Sequence, residues 1–387
     1  MQAQQLSTRD FQRILLIKLS ALGDVLHTIP VLHKLCRRYP SARIDWLTTS
    51  VFADLLRHQP AISNVIEFAR HEWSRPWRWS PYASAGRLAA RLKANHYDLV
   101  IDMHGQFRSA LLTLATGASA RVGFDRPRRE LWKASSRILP ASARNHAWQG
   151  AREGSWLAYT HHIQLPTLDM HAVDRYLSIG SMLGFDAGPA DFSFVIPDAA
   201  STRIDALLAK HGIGARLLVV APGSIWETKR WRIAGFAEVA RHFVRQAFAV
   251  VLTGSQRERA VCEAVAAAAA GVLNLAGETN LSELGALIQR STLCLTNDSG
   301  PMHLAVALGR PVVSIFGPTD PLWVGPYRHP DAVLKAELPC SPCYLRALSR
   351  CPHNHACMEE ISAAAVIDRI ENLLARHVNP EPVAIRG

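Results

Sequence analysis

Alternation of apolar runs with helical stretches occurs twice along this 387-residue chain. In the first half, strand-like runs lie at 13–19, 42–48 and 97–103, and helical stretches lie at 24–39 and 169–185. In the second half, strand-like runs lie at 216–223, 249–255, 291–298 and 310–317, and helical stretches lie at 233–246, 256–270, 281–290 and 301–308. Such alternation is typical of parallel sheets with helices on both faces. We therefore predict an α/β protein of two Rossmann-like, doubly wound domains facing a cleft.

The alternation breaks near 186–198, and this break sets the predicted domain boundaries. We expect an N-terminal domain over 1–185, a C-terminal domain over 186–358, and a final helix and tail over 359–387. Ligands of doubly wound sheets bind beyond the carboxyl ends of the strands. Candidate functional residues are therefore sought where strands end.

The positive charge is concentrated in one segment. The chain has a net charge of +11, and residues 70–152 hold fifteen Arg and Lys against five Asp and Glu. A basic surface of this kind attracts nucleic acid, an anionic membrane surface or a phosphorylated ligand. The sequence has no long apolar run and no signal-peptide pattern, so we expect a cytoplasmic protein.

The segment KLSALGDVLHTIP (18–30) passes from a strand into a helix near Asp24. It lacks the G-x-G-x-x-G pattern of a nicotinamide-binding turn. An aspartate at the positive end of a helix dipole should remain ionised, and it could accept a proton. Aspartate is also a common helix cap, and capping alone explains the same pattern.

Two loops of the second half have the composition of phosphate sites. In APGSIWETKRW (221–231), Ser224 and Lys229 follow a strand and a Pro-Gly turn. A hydroxyl, backbone N–H groups and a lysine in that position suit a phosphate. In TNDSGPMHLAVALGRP (296–311), a strand ends at Asp298 and a helix begins beside Ser299 and Gly300. The unpaired N–H groups of that helix start form an anion site, and His303 lies one turn further along.

The order and spacing of the motifs over nearly the whole chain resemble glycosyltransferase family 9, the bacterial heptosyltransferases. The matching segments are GDVLHTIP, VIDMHGQFRSA (100–110), HAVDR (171–175), APGS with KRW, NLAGETNLSELGALI (274–288), NDSGPMHLA and FGPTDP (316–321). The resemblance implies a GT-B fold, with the acceptor bound by the N-terminal domain and ADP-heptose by the C-terminal domain. Motif matching then assigns the roles of individual residues. Asp24 is implied as the general base, Lys229 as the cation that neutralises the donor diphosphate, Ser224, Glu258, Asp298, Ser299, Gly300 and His303 as donor contacts, and Gly23, Arg126, Arg128 and Arg129 as acceptor contacts.

The resemblance also implies the reaction and the partners. A single displacement would move heptose from ADP-heptose to Kdo-lipid A or to a heptosylated core, with inversion at the anomeric carbon. The sequence contains no D-x-D pair, so no metal and no cofactor is predicted, and Lys229 with the helix start at 299–303 would stabilise the leaving group. Peripheral contact with the anionic inner face of the inner membrane is expected, and nucleic acid is not.

The acceptor and the role of four clustered cysteines stay open. The GDVLHTIP start and Arg129-Glu130 resemble enzymes that add the first heptose to Kdo. The cluster Cys340, Cys343, Cys351 and Cys357 resembles the second-heptose enzymes and the wider family. By type and count these cysteines suit zinc or iron, and a thiol-lined loop explains them equally well. Alternative functions are a family 9 transferase with another acceptor, such as a protein, and a non-catalytic sugar-nucleotide sensor.

Overall fold

The computed structural model describes residues 4–68, 79–126, 150–186 and 188–378. Its strands are β1 (Arg13–Ile17), β2 (Arg43–Thr49), β3 (Asn64–Phe68), β4 (Leu99–Asp102), β5 (Ala120–Phe124), β6 (His161–Ile163), β7 (Leu217–Ala221), β8 (Ala249–Leu252), β9 (Val272–Asn274), β10 (Leu293–Asn297), β11 (Val312–Phe316) and β12 (Val333–Lys335). Its helices are α1 (Gln4–Ser7), α2 (Leu22–Arg38), α3 (Ser50–Arg57), α4 (Trp79–Ala94), α5 (Phe107–Ala115), α6 (Ala172–Leu177), α7 (Gly180–Leu183), α8 (Asp198–Lys210), α9 (Ile233–Arg245), α10 (Arg259–Ala268), α11 (Leu281–Arg290), α12 (Gly300–Ala307), α13 (Pro321–Val324), α14 (Ala356–Glu359) and α15 (Ala363–Val378).

The described chain forms two compact units, which divide between Val195 and Ile196. Each unit contains one six-stranded sheet, ordered β3-β2-β1-β4-β5-β6 in the first and β12-β11-β10-β7-β8-β9 in the second. All pairings are parallel. The predicted α/β class with two Rossmann-like sheets is confirmed.

The central strands are buried on both faces, which explains their unbroken apolar sequence. In β1, Ile14, Leu15, Leu16 and Ile17 are fully buried. Ile14 and Leu16 belong to one apolar cluster, and Leu15 and Ile17 belong to another. Because side chains alternate across a strand, the two clusters cover opposite faces of the sheet.

The order of the strands reverses once in each sheet. In the first sheet the reversal lies between β1 and β4, where Ile14 pairs with Leu99. In the second sheet it lies between β7 and β10, where Leu218 pairs with Leu293. The loops that leave two such neighbouring strands diverge, and the crevice between them is the usual ligand site of this architecture.

The segment between the two series is anchored on the first unit. Lys34, buried in α2, forms a salt bridge with Asp186 and donates a hydrogen bond to the carbonyl of Gly188 at 2.6 Å. Further along, Gln59 donates to the carbonyl of Val195 at 3.0 Å and accepts from its N–H at 2.8 Å. Asp186 to Val195 therefore pack with the first unit.

One predicted element differs in detail. The stretch 169–185 contains two short helices, α6 and α7, rather than one long helix. Gly184 ends α7 in the left-handed conformation at φ 73°, as expected of a glycine after the last turn.

Candidate active site

Asp24 lies in the first turn of α2, directly after β1 and therefore at the reversal point of the first sheet. The helix begins at Leu22, two residues earlier than the sequence predicts. Asp24 is consequently the third helical residue, and its Oδ2 accepts a hydrogen bond from the N–H of Ala21 at 3.2 Å. Ala21, not Asp24, is the N-cap of α2, and Asp24 contributes the capping-box contact to the N-cap N–H. That contact leaves the other oxygen unexplained.

The second oxygen of Asp24 contacts a buried polar pair. The hydroxyl of Tyr176, on α6, donates to Oδ1 at 2.7 Å. Lys18 Nζ donates to the same hydroxyl at 2.7 Å and lies 3.7 Å from Oδ1. The Lys18 and Asp24 side chains are 4% and 44% exposed, so the lysine is enclosed while the carboxylate is open to solvent.

These neighbours keep Asp24 ionised. Burial of the carboxyl raises its pKa, but the Lys18 charge and the hydrogen bonds from Tyr176 and Ala21 outweigh burial and hold that pKa below its usual range. Burial lowers the pKa of Lys18, against the nearby charges of Asp24 and Asp102. An exposed, ionised carboxylate with open lone pairs can receive a proton from a bound hydroxyl.

The predicted acceptor residues are only partly described. Gly23 precedes Asp24 in the first turn of α2 and is half-buried. Arg126 is exposed and follows β5, two strands from β1 in the sheet. Arg128 and Arg129 lie outside the described residues.

Asn297 links the two loops at the reversal point of the second sheet. Fully buried at the end of β10, it accepts from the Trp231 N–H at 3.0 Å and donates to the Pro222 carbonyl at 2.8 Å. It therefore fixes both ends of the loop that carries Ser224 and Lys229. Ser224 is buried, and its carbonyl accepts a hydrogen bond from Arg230.

Lys229 and Asp298 form a close ion pair across these loops. Nζ lies 2.6 Å from Oδ2, and the two side chains are 15% and 4% exposed. Thr319 donates its hydroxyl to the same carboxylate oxygen at 2.5 Å. Lys229 Nζ also lies 4.5 Å from the centre of the Trp226 ring, a cation–π distance. Two of the residues predicted to contact the donor are thus brought together, and the lysine is held in a defined place.

The helix start beside this ion pair has the geometry expected of an anion site. Ser299 is the N-cap of α12 in extended conformation, Gly300 is the first helical residue, and Pro301 lies at the first turn. His303 is half-buried in that turn. The unpaired N–H groups and the helix dipole favour a negative ligand here.

Glu258 lies against the donor-side loop, although it follows a different strand, β8. Its Oε2 accepts hydrogen bonds from the N–H and the hydroxyl of Ser255, at 2.8 and 2.7 Å. A Cβ at Gly223 would clash with the Glu258 carboxylate. Any side chain at this Pro-Gly turn therefore requires the carboxylate to move, which favours glycine.

The four clustered cysteines all have free thiols. Burial and the neighbouring thiols raise the pKa of Cys343, and they raise the pKa of Cys357 to about 12. No group of three or more His, Cys, Asp or Glu residues in the described ranges is arranged to hold a metal ion. Cys357 is buried, and Cys340, Cys343 and Cys351 are half-buried.

The cysteine segment also contacts the donor-side loop. Thr228 donates its hydroxyl to the Leu345 carbonyl at 2.5 Å, and His355 Nε2 donates to the Thr228 carbonyl at 2.7 Å. Both contacts hold the residue that precedes Lys229. The cysteine segment therefore supports the position of the lysine.

Sequence reasoning missed the residues that position the two charged groups. Tyr176 directly follows the HAVDR segment, and Lys18 opens the KLSALGD segment, but their pairing spans 158 residues. Thr319 lies inside FGPTDP, and its contact with Asp298 needs the pairing of β10 with β11. A polar residue at the end of a strand could have signalled Lys18, but Tyr176 lies within α6 and has no such signal.

Comparison with known proteins identifies the family of the chain. The model of glycosyltransferase family 9 (heptosyltransferase) matches residues 85–150 and 138–352. Lipopolysaccharide heptosyltransferase 1 of Pseudomonas aeruginosa is 31% identical over 378 residues, which is 96% of each chain. The structure of a family 9 glycosyltransferase from Veillonella parvula superposes with a TM-score of 0.76 at 23% identity, covering 97% of this chain and 99% of that one. Escherichia coli heptosyltransferase WaaC, solved with ADP-2-deoxy-2-fluoro heptose, gives a TM-score of 0.67 at 24% identity, covering 94% of this chain and 100% of that one.

The family match, the identity over nearly the full length and the GT-B folds of the structural neighbours agree with one another. The chain belongs to glycosyltransferase family 9, the heptosyltransferases, and is a glycosyltransferase.

Proposed function

We propose that the protein moves L-glycero-D-manno-heptose from ADP-heptose to the Kdo and heptose inner core of lipopolysaccharide, with inversion at the anomeric carbon. The observation that carries the proposal is the Lys229–Asp298 pair beside the start of α12, at the reversal point of the second sheet. The name of the Pseudomonas relative and the ligand of the Escherichia coli structure support the acceptor class and the donor.

The second unit would bind the donor. A lysine has three N–H donors, and the pair with Asp298 uses one of them. The remaining donors of Lys229 and the free N–H groups at Ser299 and Gly300 would bind the diphosphate. Negative charge grows on the diphosphate as it leaves, so these groups stabilise the transition state more than the bound donor. On this account no metal is required.

The first unit would bind the acceptor and take up its proton. The acceptor hydroxyl oxygen attacks the anomeric carbon of heptose while the bond from that carbon to the diphosphate oxygen breaks. The hydroxyl proton passes to the Asp24 carboxylate, and ADP leaves with the electron pair. One displacement inverts the anomeric centre.

A transfer assay tests the proposal and identifies the acceptor. Purified protein is incubated with ADP-heptose and either Kdo-lipid A or a core that already carries one heptose, and the product is detected by mass spectrometry. We expect one heptose to be added to one of the two acceptors, with one ADP released for each heptose. ADP binding without transfer to either acceptor would favour a sugar-nucleotide sensor or a different acceptor.

We also propose that the first unit contacts an anionic membrane surface. Phe107, Leu111 and Leu114 are exposed on α5, at the spacing of one helix face, and Leu157 is exposed in an adjoining 3₁₀ turn. The helices α4 and α5, which pack together, hold four Arg and Lys and no Asp or Glu. An apolar stripe beside an excess of positive charge matches an anionic bilayer interface.

Vesicle sedimentation tests this contact. We expect the protein to bind phosphatidylglycerol vesicles and not phosphatidylcholine vesicles, and Leu111→Gln with Leu114→Gln should release it. The control pair Leu322→Gln and Leu348→Gln removes equally exposed leucines from the second unit and should leave binding intact. Equal loss of vesicle binding in both double variants would refute the assignment of the α5 face. Among the described residues, no helix is both long and apolar enough to cross a membrane.

A further inference from the structure

Lys18, Tyr176 and Asp24 form a hydrogen-bonded chain in the first unit, and no motif assigns a role to Lys18 or Tyr176. Lys18 Nζ donates to the carbonyl of Met103 at 2.8 Å and to the hydroxyl of Tyr176 at 2.7 Å. The hydroxyl has one proton, and it donates that proton to Asp24 Oδ1 at 2.7 Å. The direction of the chain is therefore fixed, because an ammonium group can only donate.

We propose that Tyr176 and Lys18 are positioning residues for Asp24, in which Lys18 fixes the Tyr176 hydroxyl and the hydroxyl fixes the carboxylate for proton transfer. The inference rests on the proposed role of Asp24 as general base. Neither residue touches the acceptor in this scheme, since both side chains are enclosed. The Lys18 side chain is 4% exposed and Tyr176 is 4% exposed.

The packing around Tyr176 explains how its hydroxyl is held. The ring is buried against Phe124, with ring centroids 6.0 Å apart, and Lys18 Nζ lies 4.5 Å from the centre of the Tyr176 ring. Lys18, directly after β1, and residues of α2 and α6 thus meet at one hydroxyl. Tyr176 holds Oδ1 and Ala21 holds Oδ2, so the orientation of the carboxylate is restrained while its side chain stays 44% exposed.

The same contacts set the pH at which Asp24 can act. Opposite charge and a donated hydrogen bond both favour the ionised carboxyl, so their removal raises the pKa of Asp24. The other charged or titratable groups that act on this chain are His104 on Asp24, Asp102 and Arg175 on Lys18, and Arg175 and Arg152 on Tyr176. None of these groups is changed in the variants below.

Tyr176→Phe tests the inference, because it keeps the ring and removes only the hydroxyl. A base must be unprotonated, so activity falls on the acid side of its pKa. We expect the acid limb of the kcat/KM profile to move to higher pH by about one to two units. We also expect kcat on the plateau to fall about tenfold through loss of orientation, with ADP affinity unchanged. Lys18→Met should move the limb in the same direction, and the double variant should shift it by less than the two single shifts combined.

Tyr97→Phe is the matched control. Tyr97 also donates a buried hydroxyl to a carboxylate, Asp45 Oδ2, at 2.7 Å. That pair lies toward the amino end of the strands, whereas Asp24 lies beyond their carboxyl end, since Tyr97 precedes β4. Tyr97→Phe should therefore lower thermal stability without moving the pH profile.

The possible outcomes separate two failures. If Asp24→Asn abolishes transfer but Tyr176→Phe moves neither the acid limb nor the plateau, the positioning role is refuted and the base stands. If Tyr176→Phe and Tyr97→Phe move the profile equally, the effect is structural and the inference is also refuted. If Asp24→Asn retains activity, the proposed base itself fails.

Discussion

Lys229→Ala is the perturbation with the clearest calculated consequence. A charged hydrogen bond contributes about 1.5–3 kcal/mol, so losing the lysine should weaken ADP binding roughly 10- to 150-fold. The transition state has more charge on the diphosphate than the bound donor, so kcat should fall as well. Titration calorimetry with ADP and the transfer assay measure the two effects separately.

Lys229→Ala also affects Asp298, and the experiment must separate this effect from the loss of the donor contact. Asp298 is 4% exposed and would lose its cation, and breaking such a buried pair costs about 3–5 kcal/mol of folding free energy. The unpaired carboxylate would also repel ADP. Lys229→Ala with Asp298→Asn removes that charge. If the double variant binds ADP as tightly as the wild type, Lys229 serves only to neutralise Asp298, and its role toward the donor is refuted.

A surface pair of the same unit gives the control. Arg290 donates two hydrogen bonds to Asp205, each at 2.7 Å, but both side chains are more than a third exposed. Arg290→Ala should cost less than about 1 kcal/mol and leave ADP binding unchanged. If Lys229→Ala and Arg290→Ala have the same ADP affinity and the same kcat, the proposed role of Lys229 toward the donor is wrong.

Three further predictions concern the donor-side loop, the cysteine cluster and the basic segment. Gly223→Ala should displace the glutamate carboxylate packed against it and weaken ADP binding, as calorimetry can measure, and an unchanged affinity would show that the loop adapts freely. Cys343→Ser with Cys351→Ser should lower the unfolding temperature more than the rate at low temperature. Elemental analysis then decides between a metal site (about one zinc or iron per chain) and a packed loop (no metal), and full stability without turnover would contradict both. Arg128→Ala with Arg129→Ala should raise the KM for the lipid acceptor and spare ADP binding, with added salt mimicking the change; a loss of donor binding would instead place these arginines on the donor side.

The sequence predicts most of the central strands but misses β5 and the edge strands β3, β6, β9 and β12. Central strands such as β1 are buried on both faces, so their apolar runs are unbroken. The edge strands β6, β9 and β12 have three residues each and are mostly half-buried, so they carry no recognisable pattern. Three residues of strand sequence cannot be distinguished from a loop by periodicity.

The sequence likewise identifies some residues of the candidate site and not others. Asp24, Lys229 and Asp298 are recognisable because each follows a strand, where ligands bind in this architecture. The residues that hold these side chains in place are not recognisable in the sequence. Tyr176 is 152 residues from Asp24 and reaches it only through tertiary packing. In sequence, Asn297 looks like the plain end of a strand, but its side-chain amide holds the adjoining loop.

The most direct test of the account compares transfer and ADP binding in Asp24→Asn. The substitution keeps the shape of the side chain and removes the charge that accepts the proton. We predict that ADP affinity stays at the wild-type value while the rate of heptose transfer falls by about 10²–10⁴. A variant that binds ADP and still transfers at more than half the wild-type rate would contradict the central claim and return Asp24 to a helix cap.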